Sequence, residues 1–128
     1  MIKKRKLTKT ISEMNKKPLK KRGRKPKSVN LKYVLVRTYS AGVFAGYLES
    51  RNGREVVLRK ARRIWYWDGA ASLSQLAMEG VKKPQNCKFP CEVDRIELLE
   101  AVEIIDMPES ARINITNVPI WAATDEDA

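Results

Sequence analysis

Arg62-Arg63-Ile64-Trp65-Tyr66-Trp67 brings two guanidinium groups and three aromatic rings into six residues. That is the combination a nucleotide needs, because arginine holds phosphate oxygens bidentately while a ring stacks on the base. Read as a strand, Arg63, Trp65 and Trp67 share one face and Arg62, Ile64 and Tyr66 the other. Tryptophan and arginine also dominate protein interfaces, so taken alone the run is read more plainly as tryptophans anchoring a core or interface beside solvated arginines. A second cluster, Arg37-Thr38-Tyr39-Ser40-Ala41-Gly42, offers a cation, three hydroxyls and a glycine whose backbone N–H can approach a phosphate closely. A polar turn with an exposed arginine fits the cluster equally well. In the proline-flanked loop, Asn86 and Phe89 can hydrogen-bond and stack on a purine, or Phe89 can simply anchor the loop in the core. The ligand-binding candidates from residue type are Arg37, Thr38, Ser40, Gly42, Arg62, Arg63, Trp65, Trp67, Asn86 and Phe89.

Catalytic chemistry has little to work with. The chain has no histidine, which removes the commonest general base, the Ser-His and Cys-His dyads and the usual metal ligand. Cys87 and Cys91 have no second pair to complete a zinc site. No Gly-rich phosphate loop ending in Lys-Ser/Thr appears, and Glu97, Glu100 and Glu103 read as a solvated edge. The expectation is a binding protein with no catalytic residue, no metal and no cofactor.

The elements that must position these residues follow from pattern. Tyr33 to Tyr39 is rich in β-branched and aromatic residues and reads as a strand ended by Ala41-Gly42. Val43–Ser50 and Glu55–Lys60 flank Asn52-Gly53, the strongest short hairpin signal, and counting outward from a two-residue turn pairs Leu48 with Val57 and Tyr47 with Leu58. Phe44, Leu48 and Val57 then share one face, and Val43, Tyr47, Val56 and Leu58 the other. Both faces are apolar, so a helix or a partner subunit is expected on each side. Ser72-Leu73-Ser74-Gln75 has capping-box spacing and starts a short helix closed by Gly80. Val93 to Asp106 reads as a strand with a bulge near Glu100, and a last helix runs from about Asp106 to Asn117. The fold expected is α+β, a small antiparallel sheet with two short helices.

The 128 residues amount to one ordinary domain, with 43% apolar content to build its core. The net charge of +11 is unevenly divided: residues 1–32 carry 14 Lys/Arg and one acid, and the remaining 96 residues are nearly neutral. The division expected is a disordered basic tail over 1–30, one nucleotide-binding domain over 31–122, and an acidic end over 123–128. Within the tail, Lys20 to Lys27 resembles an AT-hook around Arg22-Gly23-Arg24, though a generic polycation binding any nucleic acid by counterion release fits it better. No secretory signal and no stretch of about 20 apolar residues is present, so a cytoplasmic protein with reduced cysteines and no membrane partner is expected.

Three blocks carry a family resemblance: Tyr33 to Val43, Ala61 to Ala70, and Glu103-Ile104-Ile105 with the closing Pro119-Ile120-Trp121. Over about residues 31–121 the chain resembles the Thoeris anti-defence 1 family of small phage proteins. The resemblance implies a sponge, which binds cyclic nucleotide signals made by bacterial TIR enzymes and holds them without cleavage in the host cytoplasm. It implies a glycocyclic ADP-ribose as ligand, cyclic oligonucleotides for some members, and a homodimer assembling into a hexamer. It also adds Arg112 to the binding candidates beside Phe89 and Asn86. The alternative from the residues alone is a small nucleic-acid-binding protein, whose basic tail gives affinity while the domain serves as an oligomerisation platform.

Overall fold

Five segments dense in β-branched and aromatic residues form strands. They are β1 (Tyr33–Thr38), β2 (Val43–Asn52), β3 (Glu55–Arg63), β4 (Val93–Leu98) and β5 (Ala101–Asp106), with helix α1 (Leu73–Glu79) after β3 and helix α2 (Glu109–Thr116) after β5. This computed structural model describes residues 30–123. The basic tail, its AT-hook-like run and nearly all of the acidic end therefore lie outside the described residues. The sheet is antiparallel throughout, in the order β4-β3-β2-β1-β5, and the fold is α+β as expected.

That order has a geometric consequence. β4 and β5 lie at opposite edges, yet only Leu99 and Glu100 separate them, so the sheet curls until its two edges meet at this corner. Val34, Val36, Phe44, Val56, Leu58, Ala61, Leu98 and Ala101, drawn from all five strands, form a buried cluster inside the curl. The other face carries Tyr33, Leu35 and Ala45 against Leu76 and Ala77 of α1, Ala111 and Ile115 of α2, and the loop residues Val81 and Phe89. The chain thus covers one apolar face with its helices and the other by rolling the sheet on itself.

The β2–β3 register differs from the expected one. Gly53 has φ +63° and is the only residue of the turn with positive φ, so the two-residue turn is Gly53-Arg54 and Asn52 pairs with Glu55. Leu48 faces Leu58 and Tyr47 faces Arg59, in place of Val57 and Leu58. Two irregularities correct the faces: one between Leu48 and Ser50, and one opposite Gly46, where Lys60 takes φ +51°. Val56 and Leu58 consequently join Phe44 in the curl, with Leu48 against them, leaving Val43 and Tyr47 to the helix side. β3 also stops at Arg63, so the alternation expected through Trp67 ends early.

Candidate functional site

Local hydrogen bonding shapes the β1–β2 connection. Thr38 Oγ1 donates to the Gly42 carbonyl at 2.8 Å and accepts from Ala41 N at 2.9 Å, so this hydroxyl closes its own loop and is buried. Gly42 takes φ +109°, which glycine accommodates without strain. Tyr39 N donates to the Glu100 carbonyl at 2.9 Å, and Ser40 Oγ donates to Glu100 Oε1 at 2.7 Å. The loop is thereby pinned to the corner where the sheet edges meet, with the Tyr39 ring left 80% exposed.

The β2–β3 tip arrives at the same corner, since Ala101 N donates to the Arg54 carbonyl at 3.0 Å. Tyr39, Arg51, Gly53 and Arg54 together with Ala101–Ile104 line an open groove of about 800 Å³. That volume falls within the range of small-molecule sites, roughly 300–1,000 Å³. Arg51 uses Nε to donate to the Gly53 carbonyl at 2.9 Å, and Arg54 makes no side-chain hydrogen bond or ion pair among the described residues. The one acid in the lining, Glu103, accepts from Arg37 Nε at 2.9 Å. The groove therefore presents two guanidinium groups and a ring beside a carboxylate already neutralised by an arginine, an arrangement that holds anionic groups next to a planar one.

The predicted residues divide between this corner and the opposite, helix-covered side. Arg37, Thr38, Ser40 and Gly42 lie beside the groove, and Arg63 joins them by donating Nη1 to the Ala41 carbonyl at 2.7 Å while its guanidinium lies 4.5 Å from the Phe44 ring centroid. Arg62, by contrast, is buried, and its guanidinium donates to the carbonyls of Phe89, Pro90, Ile115, Val118 and Pro119 at 2.6–3.4 Å. Burial lowers its pKa, and it has no donor to offer a ligand in this arrangement. Phe89 is fully buried in the helix-side core and presents no face for stacking. Asn86 is exposed and donates Nδ2 to Asp68 Oδ2 at 3.0 Å. Trp67 packs against the core, whereas Trp65 is 64% exposed.

Arg112 stands apart on α2. It donates from Nε and Nη2 to the Glu109 carboxylate, and from Nη1 to Tyr47 Oη at 3.3 Å. The pair holds the Glu109 carboxyl below its usual range and raises the arginine. Tyr47 packs edge-on against Tyr33 with centroids 5.0 Å apart, and Tyr33 Oη is a buried hydroxyl with no hydrogen-bond partner among the described residues.

Sequence reasoning passed over Tyr39, Arg51 and Arg54. Tyr39 sits within Arg37–Gly42, where the hydroxyls and not its ring carry the sequence signal. Arg51 and Arg54 bracket the Asn-Gly pair, whose sequence signal is that of a turn. Two arginines flanking a hairpin tip were the available signal.

Fold and site thus define a small α+β domain whose curled sheet carries a cationic groove at the meeting of its edges. The chain belongs to the family DUF6948, a domain of unknown function, whose model matches residues 31–115. No curated protein and no solved structure matches it.

Proposed function

We propose that this protein is a phage anti-defence sponge, which captures cyclic nucleotide immune signals in the host cytoplasm and holds them without cleavage. The observation that carries the reading is the groove: two arginines and an exposed tyrosine converge in a volume that accommodates a dinucleotide-sized ligand. In this reading Arg51 and Arg54 take the phosphates, the Tyr39 ring stacks on the base, and the Arg37–Glu103 pair offers acceptor oxygens to ribose hydroxyls. The preferred ligand is the glycocyclic ADP-ribose made by TIR enzymes, with cyclic oligonucleotides as a second class. Arg112, with Tyr47 beside it, is a further contact that becomes available if a ligand phosphate displaces Glu109. The working form is a homodimer or hexamer.

The test is to mix the protein with the signal from an activated TIR enzyme, remove free ligand, and heat-denature the complex. Recovery of intact signal that reactivates the effector supports sequestration. Recovery of linear ADP-ribose would mean turnover, and no depletion at all would reject the reading.

A further inference from the structure

A second surface, sharing no residue with the groove, is built where β3 leaves the sheet. Lys88 N donates to the Tyr66 carbonyl at 2.8 Å, and Trp65 N and Tyr66 N both donate to the Lys88 carbonyl at 3.2 Å, so the two segments form a short antiparallel bridge. Beyond it, Ile120 bridges Phe89 in parallel, and Trp121 N donates to the Phe89 carbonyl at 3.0 Å. Three separate segments thus deliver Tyr66, Lys88 and Trp121 to one area, with Trp65 beside it in the chain, on backbone that is already hydrogen-bonded. The Lys88 ammonium lies 6.0 Å from the Tyr66 centroid and 5.5 Å from that of Trp121. Trp65, Tyr66 and Trp121 remain 64%, 51% and 46% exposed.

We propose that this patch is a docking surface for single-stranded nucleic acid. Exposed rings on fixed backbone are a stacking platform for unpaired bases, which offer a π-face whatever their identity. Charge selects the occupant. Lys88 is the charged side chain placed against the rings, and it forms no ion pair among the described residues. Lysine is depleted from the cores of protein interfaces, yet Lys88 sits between the two rings, where a phosphate backbone would pass. A duplex keeps its base faces stacked internally, so the rings favour a single strand over a duplex. The Lys/Arg-rich residues 1–32 attract either polyanion and do not discriminate between them.

The experiment uses the full chain, with oligothymidylate and a duplex of equal length, across a salt series that weakens the undiscriminating electrostatic attraction. Tryptophan fluorescence should be quenched by oligothymidylate and not by the duplex. Tyr66→Ala and Trp121→Ala should each weaken single-strand binding by roughly 5- to 100-fold. Lys88→Ala should reduce the slope of log affinity against log salt by about 0.7. Circular dichroism establishes that each variant is folded; for one that is not, quenching in the parent chain decides. Equal quenching by duplex overturns the proposal, as does unchanged single-strand affinity in folded Tyr66→Ala and Trp121→Ala variants. A Trp121→Ala variant that changes the oligomeric state and leaves oligothymidylate binding intact also overturns it, and assigns the patch to contact between copies of the chain.

Discussion

Arg62 and Arg54 lie on the same strand or its turn, eight positions of chain apart, and have opposite fates. Around Arg62, a loop and the end of α2 aim five carbonyls at one guanidinium. Around Arg54, the hairpin tip supplies no side-chain partner among the described residues, and the side chain lines an open groove. An arginine's role is set by the backbone acceptors within its reach. Past a helix C-terminus and in proline-bearing segments, the carbonyls of Pro90, Val118 and Pro119 have no regular ladder partner and need a donor. Arg62 meets that need and ties the C-terminal segment to the sheet. Arg54, in the two-residue turn, finds no such acceptor among the described residues.

Arg62→Ala is the sharpest way to break the comparison. It removes the shared donor of five carbonyls in an interior site, and the loss of stability should be about 3–5 kcal/mol, read from chemical denaturation. Arg62→Lys should recover only part of this, since three ammonium donors do not reproduce the planar fork. A variant of near-parental stability would mean that water replaces the guanidinium and that the clip is dispensable.

On the other side, Arg51→Ala and Arg54→Ala should leave stability within about 0.5 kcal/mol, as exposed substitutions do. Each should weaken capture of a cyclic nucleotide by roughly 10- to 100-fold, the value of a charge-assisted contact, read by calorimetric titration. Tyr39→Ala should weaken it through lost stacking, with Tyr39→Phe retaining most of the affinity because the ring and not the hydroxyl makes the contact. Capture that survives all of these changes would move the site to Arg112.

Gly80→Ala probes how the helices are held on the sheet. Gly80 takes φ +77°, and a Cβ there would collide with the Asn114 side chain, which donates to the Val81 carbonyl at 2.9 Å and accepts from Val81 N at 2.8 Å. Strain and the loss of this reciprocal pair should together cost about 1–3 kcal/mol in thermal or chemical unfolding.

How much of this was legible beforehand depended on whether the deciding interaction was local. The helix start at Ser72 was readable because the capping box is a four-residue event, and Ser72 Oγ does accept from Gln75 N at 3.1 Å. Strand character was readable from alternation and β-branching, but the single bulged strand expected over 93–106 is two strands broken at Leu99-Glu100 and sent to opposite edges, because the corner that closes the curl falls where a local bulge was expected. The hairpin register was not, because Asn52-Gly53 satisfies two turn geometries and the irregularities at Glu49 and Lys60 answer to packing inside the curl. Nor was the division of labour among the arginines. Arg62 and Arg63 are neighbours of the same type, and only the arrival of residues 115–119, more than 50 positions away, separates a structural clip from a loop-binding cation.

Tyr33→Phe should have the smallest effect, and its sign is opposite. The hydroxyl is buried and has no partner among the described residues, so deleting it removes a desolvation penalty without removing a hydrogen bond, and stability at neutral pH should stay level or rise by up to about 1 kcal/mol. Burial pushes the Tyr33 pKa well above 10.0, with Tyr47 and Glu92 adding to the rise and Arg62 and Arg112 opposing it. A phenol whose pKa is raised on folding contributes full stability below its unfolded value, and that contribution falls as pH climbs from about 10 toward the folded value. The parent protein should therefore lose stability above pH 10 more steeply than Tyr33→Phe does, and its Tyr33 should become phenolate only as the fold opens. Denaturation midpoints at pH 8 and above pH 10, with phenolate absorbance followed alongside, check both halves. If Tyr33→Phe is less stable than the parent at pH 8, the hydroxyl has a partner after all, and the corner between Tyr47 and Arg112 holds a bound group that the phenol secures.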